Sequence, residues 1–412
     1  MTLIALTVIS VSAFGQLSDN SNNSSPYSRF GVGTLSPYSL GSYSGMGGAS
    51  IGARRGNEVN LANPASNSGY DSLAFIMQAG LFGSYSGLSN SDGGKATLSD
   101  GNFSHLVIGF PIARKIGISA GVVPFSNVGY EANQQRDNGP FGTANVNYYG
   151  SGTLSEVFIG AGWKIAENLS IGANVDFVFG ELTRTDEVIS ASSDAQVFRS
   201  VENIHIKNVM IKPAIQYTIP LKSNRSLTLG AFYETKLGSS SYYSLFERIG
   251  SDTTKFIERN GDEIGLPASY GVGLSYELGD KLMVNADFFR TDWSDIDLML
   301  SDEGRIKDLQ RYSVGAEYTP NSRALKGYYK KISYRAGAFY EQGYVAINGH
   351  QIDKYGITIG AGFPIKAINT LNVAIELGQN GKKSNGLIRE DYAKLSVSFN
   401  FYELWFRQYQ YK

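Results

Sequence analysis

The sequence holds few residues able to make or break bonds. Its three histidines, His105, His205 and His350, lie far apart. None has a second histidine two or four positions on, the spacings by which a strand or a helix offers two ligands to one ion, so no metal site is expected. Cysteine is absent, which removes thiolate ligands, cysteine nucleophiles and disulfides, and suits an exported protein without bridges. Gly41-Ser42-Tyr43-Ser44-Gly45 and Gly83-Ser84-Tyr85-Ser86-Gly87 have the outline of a nucleophile elbow, but tyrosine stands where the elbow needs serine. Gly47-Gly48 and Gly160-Ala161-Gly162 would need a following helix to bind a phosphate, and none is predicted; they read as places of close backbone packing. A lipase would require a serine–histidine pair with a third group to orient it. Strand pairing could bring a serine to His105, but nothing in the sequence points there. No catalytic residue and no cofactor is expected.

What the sequence does repeat is a polar side chain at every second position of long apolar runs. Asn174, Asp176, Asn285, Asp287, Asn372, Glu376 and Lys394 all stand in this way. Residues two apart in a strand share a face, so these groups belong to one surface and the apolar set to the other. Leu169, Ile171, Ala173, Val175, Phe177 and Phe179 alternate with Ser170, Gly172, Asn174, Asp176, Val178 and Gly180; Leu371, Val373, Ile375 and Leu377 alternate with Asn372, Ala374, Glu376 and Gly378. A soluble sandwich produces the same alternation. Two features separate a membrane barrel from it: glycine recurs on the polar face with few charges, and the runs are about 10–20 residues long against a usual 5 or 6.

Fourteen such runs are predicted, near 70–87, 102–112, 115–131, 148–164, 168–187, 203–220, 225–240, 266–280, 282–301, 308–320, 328–347, 350–365, 369–382 and 390–406. An even count fits a bacterial barrel, and so does the tendency of the connections to alternate between short turns and long polar loops such as 88–101, 132–147, 188–202 and 241–265. Two connections break the pattern: 321–327 is long for the short side and 348–349 short for the long side. Short turns belong to the periplasm, which would put both termini there. The aromatics of Phe399-Asn400-Phe401-Tyr402-Glu403-Leu404-Trp405-Phe406 suit an interfacial girdle, and this ending resembles the signal read by barrel-assembly machinery.

Ahead of the first run, Leu3 to Val11 and Ala13-Phe14-Gly15 read as an export signal over 1–15, although no lysine or arginine precedes them. Residues 16–69 form an N-terminal extension, 70–406 the barrel and 407–412 a periplasmic tail. No apolar run reaches the roughly 20 residues of a transmembrane helix. The net charge of −1 lacks a basic stripe, so nucleic acid is not expected as a partner.

Met46-Gly47-Gly48-Ala49-Ser50-Ile51-Gly52, followed by Asn60-Leu61-Ala62-Asn63-Pro64-Ala65, resembles the N-terminal region of the FadL family of outer-membrane transporters for hydrophobic molecules. In that family a Gly-Gly-Ala stretch leads to an Asn-Pro-Ala signature in the hatch that plugs the lumen. Related Bacteroidetes barrels, including the PorV-type component of type IX secretion, share the layout. A second match is Leu266-Pro267-Ala268-Ser269-Tyr270, then Ala286-Asp287-Phe288 and Thr291-Asp292-Trp293-Ser294. The resemblance implies an all-β, 14-stranded antiparallel transmembrane barrel of the outer membrane with an N-terminal plug carrying Asn63, Pro64 and Ala65. It also implies passage of fatty acids or aromatic hydrocarbons without covalent chemistry, the partners being outer-membrane lipid and a hydrophobic small molecule.

The resemblance gives Val122-Val123-Pro124-Phe125 a meaning. Proline donates no N–H to a ladder, so Pro124 marks a bulge, a kink or a strand end. FadL-like barrels kink their third strand inward to open a side exit; a strand simply leaving the membrane is the plainer reading. The rival function is a non-transporting barrel that docks outer-membrane proteins, as PorV-type members do, with 242–263 as one acidic, aromatic docking face.

Overall fold

The computed structural model describes residues 25–137, 143–190, 197–250, 252–260, 265–296, 304–365 and 369–405. The expected export signal, the start of the extension and the tail 407–412 lie outside these. A two-residue strand, β1 (Thr34–Leu35), sits within the molecule. The wall begins with β2 (Ala74–Ser89), β3 (Lys95–Ala113), β4 (Ile116–Asp137), β5 (Thr143–Lys164), β6 (Leu169–Ser190), β7 (Phe198–Leu221) and β8 (Arg225–Ser239). A hairpin of β9 (Tyr242–Ile249) and β10 (Asp252–Asn260) interrupts it. It resumes with β11 (Ser269–Leu278) and β12 (Leu282–Thr291), the short β13 (Gly304–Ile306), then β14 (Leu309–Tyr318), β15 (Ser333–Ile347), β16 (His350–Pro364), β17 (Thr370–Asn380) and β18 (Arg389–Leu404). β18 pairs antiparallel with β2 from Arg389↔Ser89 to Leu404↔Ala74, and β11 pairs with β8, so the 14-stranded wall closes on itself. Closure leaves no free sheet edge to be satisfied in hydrocarbon.

Alternation decides which face is which. Leu81, Ile159, Trp163, Ile357 and Ile359 point outward and are 51–63% exposed, whereas Asp176, Asn285 and Gln216 point inward and are fully buried. An apolar outside around a polar inside is the inverse of a soluble sandwich and is the fold of an outer-membrane barrel. At its short-turn end Phe75 stacks on Trp405 at 4.0 Å, part of an aromatic belt. Among the described residues no helix is long and apolar enough to cross a membrane.

The strands depart from expectation chiefly at the long-loop end. β4 to β6 run for 22 residues each and β7 for 24, about twice the 9–11 that span a bilayer. Their outer halves stand above the membrane, where water on both faces removes the apolar alternation by which strands are recognised. For the same reason the expected polar loop 241–265 contains β9 and β10, β9 continuing the sheet beside β7 from Phe198↔Ile249 to His205↔Tyr242. The run expected over 282–301 stops at Thr291, where a 3-10 turn at Trp293–Asp295 begins. The run expected from 328 begins at Ser333, after a turn at Tyr328–Lys330. Ser25 donates to Glu390 at the long-loop end of β18, so the first described residues lie at the outer end of the barrel, while the N-terminus itself lies outside the described residues.

Candidate functional site

Residues 25–70 run down the inside of the barrel, and their path follows from local chemistry. Asn63 is extended (φ −146°, ψ 102°), as the residue before a proline must be, and its side chain accepts the Ala65 N–H at 3.0 Å. That cap and Pro64 start the 3-10 turn Pro64–Gly69. The Asn63 amide also donates to the carbonyls of Ile51, Ile215 and Ala231 at 3.1–3.4 Å, tying the turn to β7 and β8. Pro64 and Ala65 are buried. The glycines that mark the inner face of the strands are where this segment touches the wall. A Cβ at Gly162 would come within 3.0 Å of the Pro64 and Ser68 backbone, one at Gly172 within 3.0 Å of the Pro64 and Ala65 backbone, and one at Gly315 or Gly337 would strike Met46.

The inward polar residues expected from alternation divide into three groups. Asp287 and Asn285 hold the inner segment: Asp287 accepts the Ser50 and Ile51 amides at 2.5 and 2.8 Å, and Asn285 donates to the Ala49 carbonyl at 2.9 Å. Asn372 accepts from Arg335 at 2.8 Å, and Glu376 accepts from Tyr392 at 2.6 Å. Asn174, Asp176 and Lys394 line the interior without touching the segment's hydrogen-bonding groups; both Asp176 carboxylate oxygens are buried without a hydrogen bond.

Sequence reasoning missed a relay of charges. Glu58 accepts the Ser42 N–H and hydroxyl and lies 3.4 Å from Arg55; Arg55 reaches Glu317 at 2.7 Å, and Glu317 reaches Arg335 at 2.6 Å. Burial alone would lower the Arg55 pKa, but Glu317, Tyr43 and Glu58 hold the guanidinium above its ordinary value. A second missed group is Lys212, whose ammonium lies 3.3 Å from Glu234 and over the rings of Tyr38 and Phe232. The signal was available: Arg54, Arg55 and Glu58 are charges in a stretch otherwise poor in them, and Glu317 and Arg335 share the parity of the inward set.

Pro124 stands where two wall strands part. β3 and β4 pair from Ala113↔Ile116 up to Leu106↔Val122 and no further. Beyond that point β3 keeps β2 as its partner, and β4 keeps β5 through an irregularity between Pro124 and Ser126. The edge of β4 that β3 has left is met from inside the barrel: β1 pairs as Thr34↔Asn127 and Leu35↔Ser126, and the Ser36 N–H donates to the Phe125 carbonyl at 2.9 Å. Val123 and Phe125 face inward, into packed apolar clusters. Three cavities meet at Pro124. One of about 100 Å³ is lined by Val123, Phe125, Phe158, Met210, Phe289 and Trp293, with Lys212 and Glu234 at one side. The others, of about 30 and 150 Å³, run past Phe103 and Ser104 and past Leu98, Asp100 and Lys394.

Above the cavities residues 27–33 pack against the outer end of the wall. The Tyr27 hydroxyl donates to the Ile388 carbonyl and accepts its N–H, and burial pushes its pKa up to about 12. Arg184 donates to the Gly31 carbonyl, and Tyr344, stacked on Trp293, donates to the Gly33 carbonyl at 2.5 Å.

No nucleophile elbow forms: residues 41–46 make a buried 3-10 turn, and 83–87 lie within β2. The Ser104 hydroxyl lies 3.0 Å from His105 Nδ1, but His105 Nε2 is buried with no partner, so the orienting group of a triad is missing from the described residues. His205 lies 3.1 Å from Glu181 and stacks on Tyr242, and His350 opens β16.

The family model BamG matches residues 1–412. No curated protein matches. Among solved structures the fold is similar to the toluene transporter TodX of Pseudomonas putida, at 18% identity and a TM-score of 0.59, covering 90% of this chain and 100% of that one. It is similar to the Ralstonia pickettii toluene transporter TbuX at 15% identity and a TM-score of 0.58, covering 88% and 98%. A Pseudomonas aeruginosa FadL homologue gives 12% identity and a TM-score of 0.55, covering 90% and 98%. At these identities the likeness establishes the fold.

Proposed function

The chain belongs to the BamG family, and from that premise we propose that it is an outer-membrane channel for hydrophobic small molecules such as long-chain fatty acids or aromatic hydrocarbons, which pass a plugged lumen and leave sideways into the bilayer. The observation that carries this reading is the parting of β3 from β4 beside an apolar cavity. Leu106 lies seven residues along β3 from Ala113. At ~3.3 Å per residue and a strand tilt of ~40°, that is about 18 Å above the periplasmic turn, inside an apolar band about 25 Å tall. Leu81, paired with Phe103 beyond the parting, still faces outward and is 62% exposed, so the wall remains apolar past the gap. A ligand moving from the Val123–Phe158 cavity past Pro124 would reach lipid without crossing water, and so keep the free energy of apolar burial throughout. Residues 36–69 are the plug in this scheme, with Asn63, Pro64 and Ala65 seating it. The likeness of fold to toluene transporters and a FadL homologue supports the same reading.

The test is Pro124→Val, which gives β4 back an N–H and lets the ladder extend. Uptake of a fluorescent hydrophobic tracer should fall severalfold while the amount of heat-modifiable barrel in the membrane stays the same. Unchanged uptake at equal barrel content would sink the lateral route.

A second reading, a non-transporting barrel that docks other outer-membrane proteins, has one feature in its favour. The β9–β10 hairpin projects with β4 to β7 and carries Phe256, 62% exposed. It requires that the purified chain show no tracer uptake at all and that cross-linking through the hairpin recover a partner.

A further inference from the structure

The connection between β14 and β15, residues 319–332, is the long one on the short-turn side, and nothing in a transport route accounts for it. It is a built loop. The Thr319 and Ser333 hydroxyls meet at 2.8 Å across its base, the Asn321 N–H donates to the Lys330 carbonyl at 2.8 Å, and the Asn321 side chain accepts the Arg323 N–H at 3.1 Å. What this frame presents is unusual for a surface in water: Leu325 is 99% exposed, Tyr329 61% and Tyr328 53%. Among them stand Arg323, Lys326, Lys330 and Lys331. Arg323 lies 3.5 Å from Asp280; among the described residues no carboxylate pairs with the three lysines.

The loop's position distinguishes its partners. Tyr334 is outward on β15, and its hydroxyl donates to the Tyr329 carbonyl at 3.1 Å; the Tyr328 hydroxyl donates to the Pro364 carbonyl, at the end of β16, at 2.9 Å. Both bonds draw the loop toward the lipid-facing wall, not beneath the lumen. At that level tyrosine rings meet headgroups, a leucine side chain reaches acyl chains, and lysine stems lie along apolar surface with their ammonium groups at phosphate. We propose that residues 323–331 form a headgroup-binding apron for anionic phospholipid in the periplasmic leaflet. An acidic periplasmic protein would satisfy the lysines but would have no use for a fully exposed leucine beside the wall.

The test uses the full chain in detergent, with phosphatidylglycerol or phosphatidylcholine added and bound lipid counted by native mass spectrometry. The wild type should retain phosphatidylglycerol in preference. The combined variant Lys326→Gln, Lys330→Gln, Lys331→Gln should lose that preference by about tenfold or more, since the three ammonium groups supply the attraction to anionic headgroups. Removing charge at the other end, by Arg248→Gln, Lys255→Gln and Arg259→Gln, should leave it intact, and the heat-modified gel band reports that each variant folds. Equal retention of both lipids, or an undiminished preference in the loop variant, overturns the assignment. So does a preference for lipid A over phosphatidylglycerol, or loop lysines that bind an acidic protein and no lipid. Tracer uptake is read separately, so failure here and failure of the transport reading are distinguishable.

Discussion

Asp287 joins wall and interior through one oxygen. Its carboxylate accepts two consecutive amides, those of Ser50 and Ile51, from a segment that has no ladder of its own at that point. Leaving a buried N–H without its acceptor costs about 1–3 kcal/mol. Asp287→Ala should therefore raise hydrogen exchange at the Ser50 and Ile51 amides by about a hundredfold, while exchange along β12 itself stays slow. Asp287→Asn, which keeps one acceptor oxygen, should fall between. Equal protection in the alanine variant would mean that packing, not this carboxylate, fixes the segment. The inward direction of Asp287 was legible, because period two assigns its face. Its partner was not, since Ser50 and Ile51 lie 237 and 236 residues away and carry no periodic signature.

At the scale of elements, the wall strands were readable wherever one face meets lipid, and readability ended where both faces meet water. This is why β8 was anticipated almost in full, from 225–240 against Arg225–Ser239, while β9 and β10 passed for a loop. The inner segment was readable only as composition: its short 3-10 turns, Pro26–Arg29, Gly41–Met46 and Pro64–Gly69, leave no helical or strand period. Its relation to the wall was nonetheless written in the inner-face glycines, which admit its backbone. As the proposed plug it has a direct test. A chain lacking 46–68 should still insert as a barrel, because no ladder partner of β2 to β18 is removed, but it should conduct ions across a planar bilayer where the intact chain does not. Conductance unchanged by the deletion would show that residues 25–40, or the loops, seal the pore by themselves.

At the scale of the whole molecule, the apolar belt and the closed ladder make one demand: the native chain is a barrel only in a membrane or its substitute. It should fractionate with outer membranes, resist alkaline extraction, and migrate faster on gels before boiling than after. Recovery from the soluble periplasm without a heat-modified band would contradict the fold's placement in lipid.

The reach of the inner segment also sets an order of events. It leaves β2 at the periplasmic end, yet its far end is held at the opposite rim by Tyr27 on Ile388 and by Ser25 on Glu390. Reaching that rim after closure would mean drawing residues 25–70 end first through the periplasmic mouth and along the whole lumen. An order in which the thread is in place when the seam between β2 and β18 zips avoids that passage, the cylinder being wound around its contents. On that order β18, the last described strand of the wall, locks in the earliest described residues.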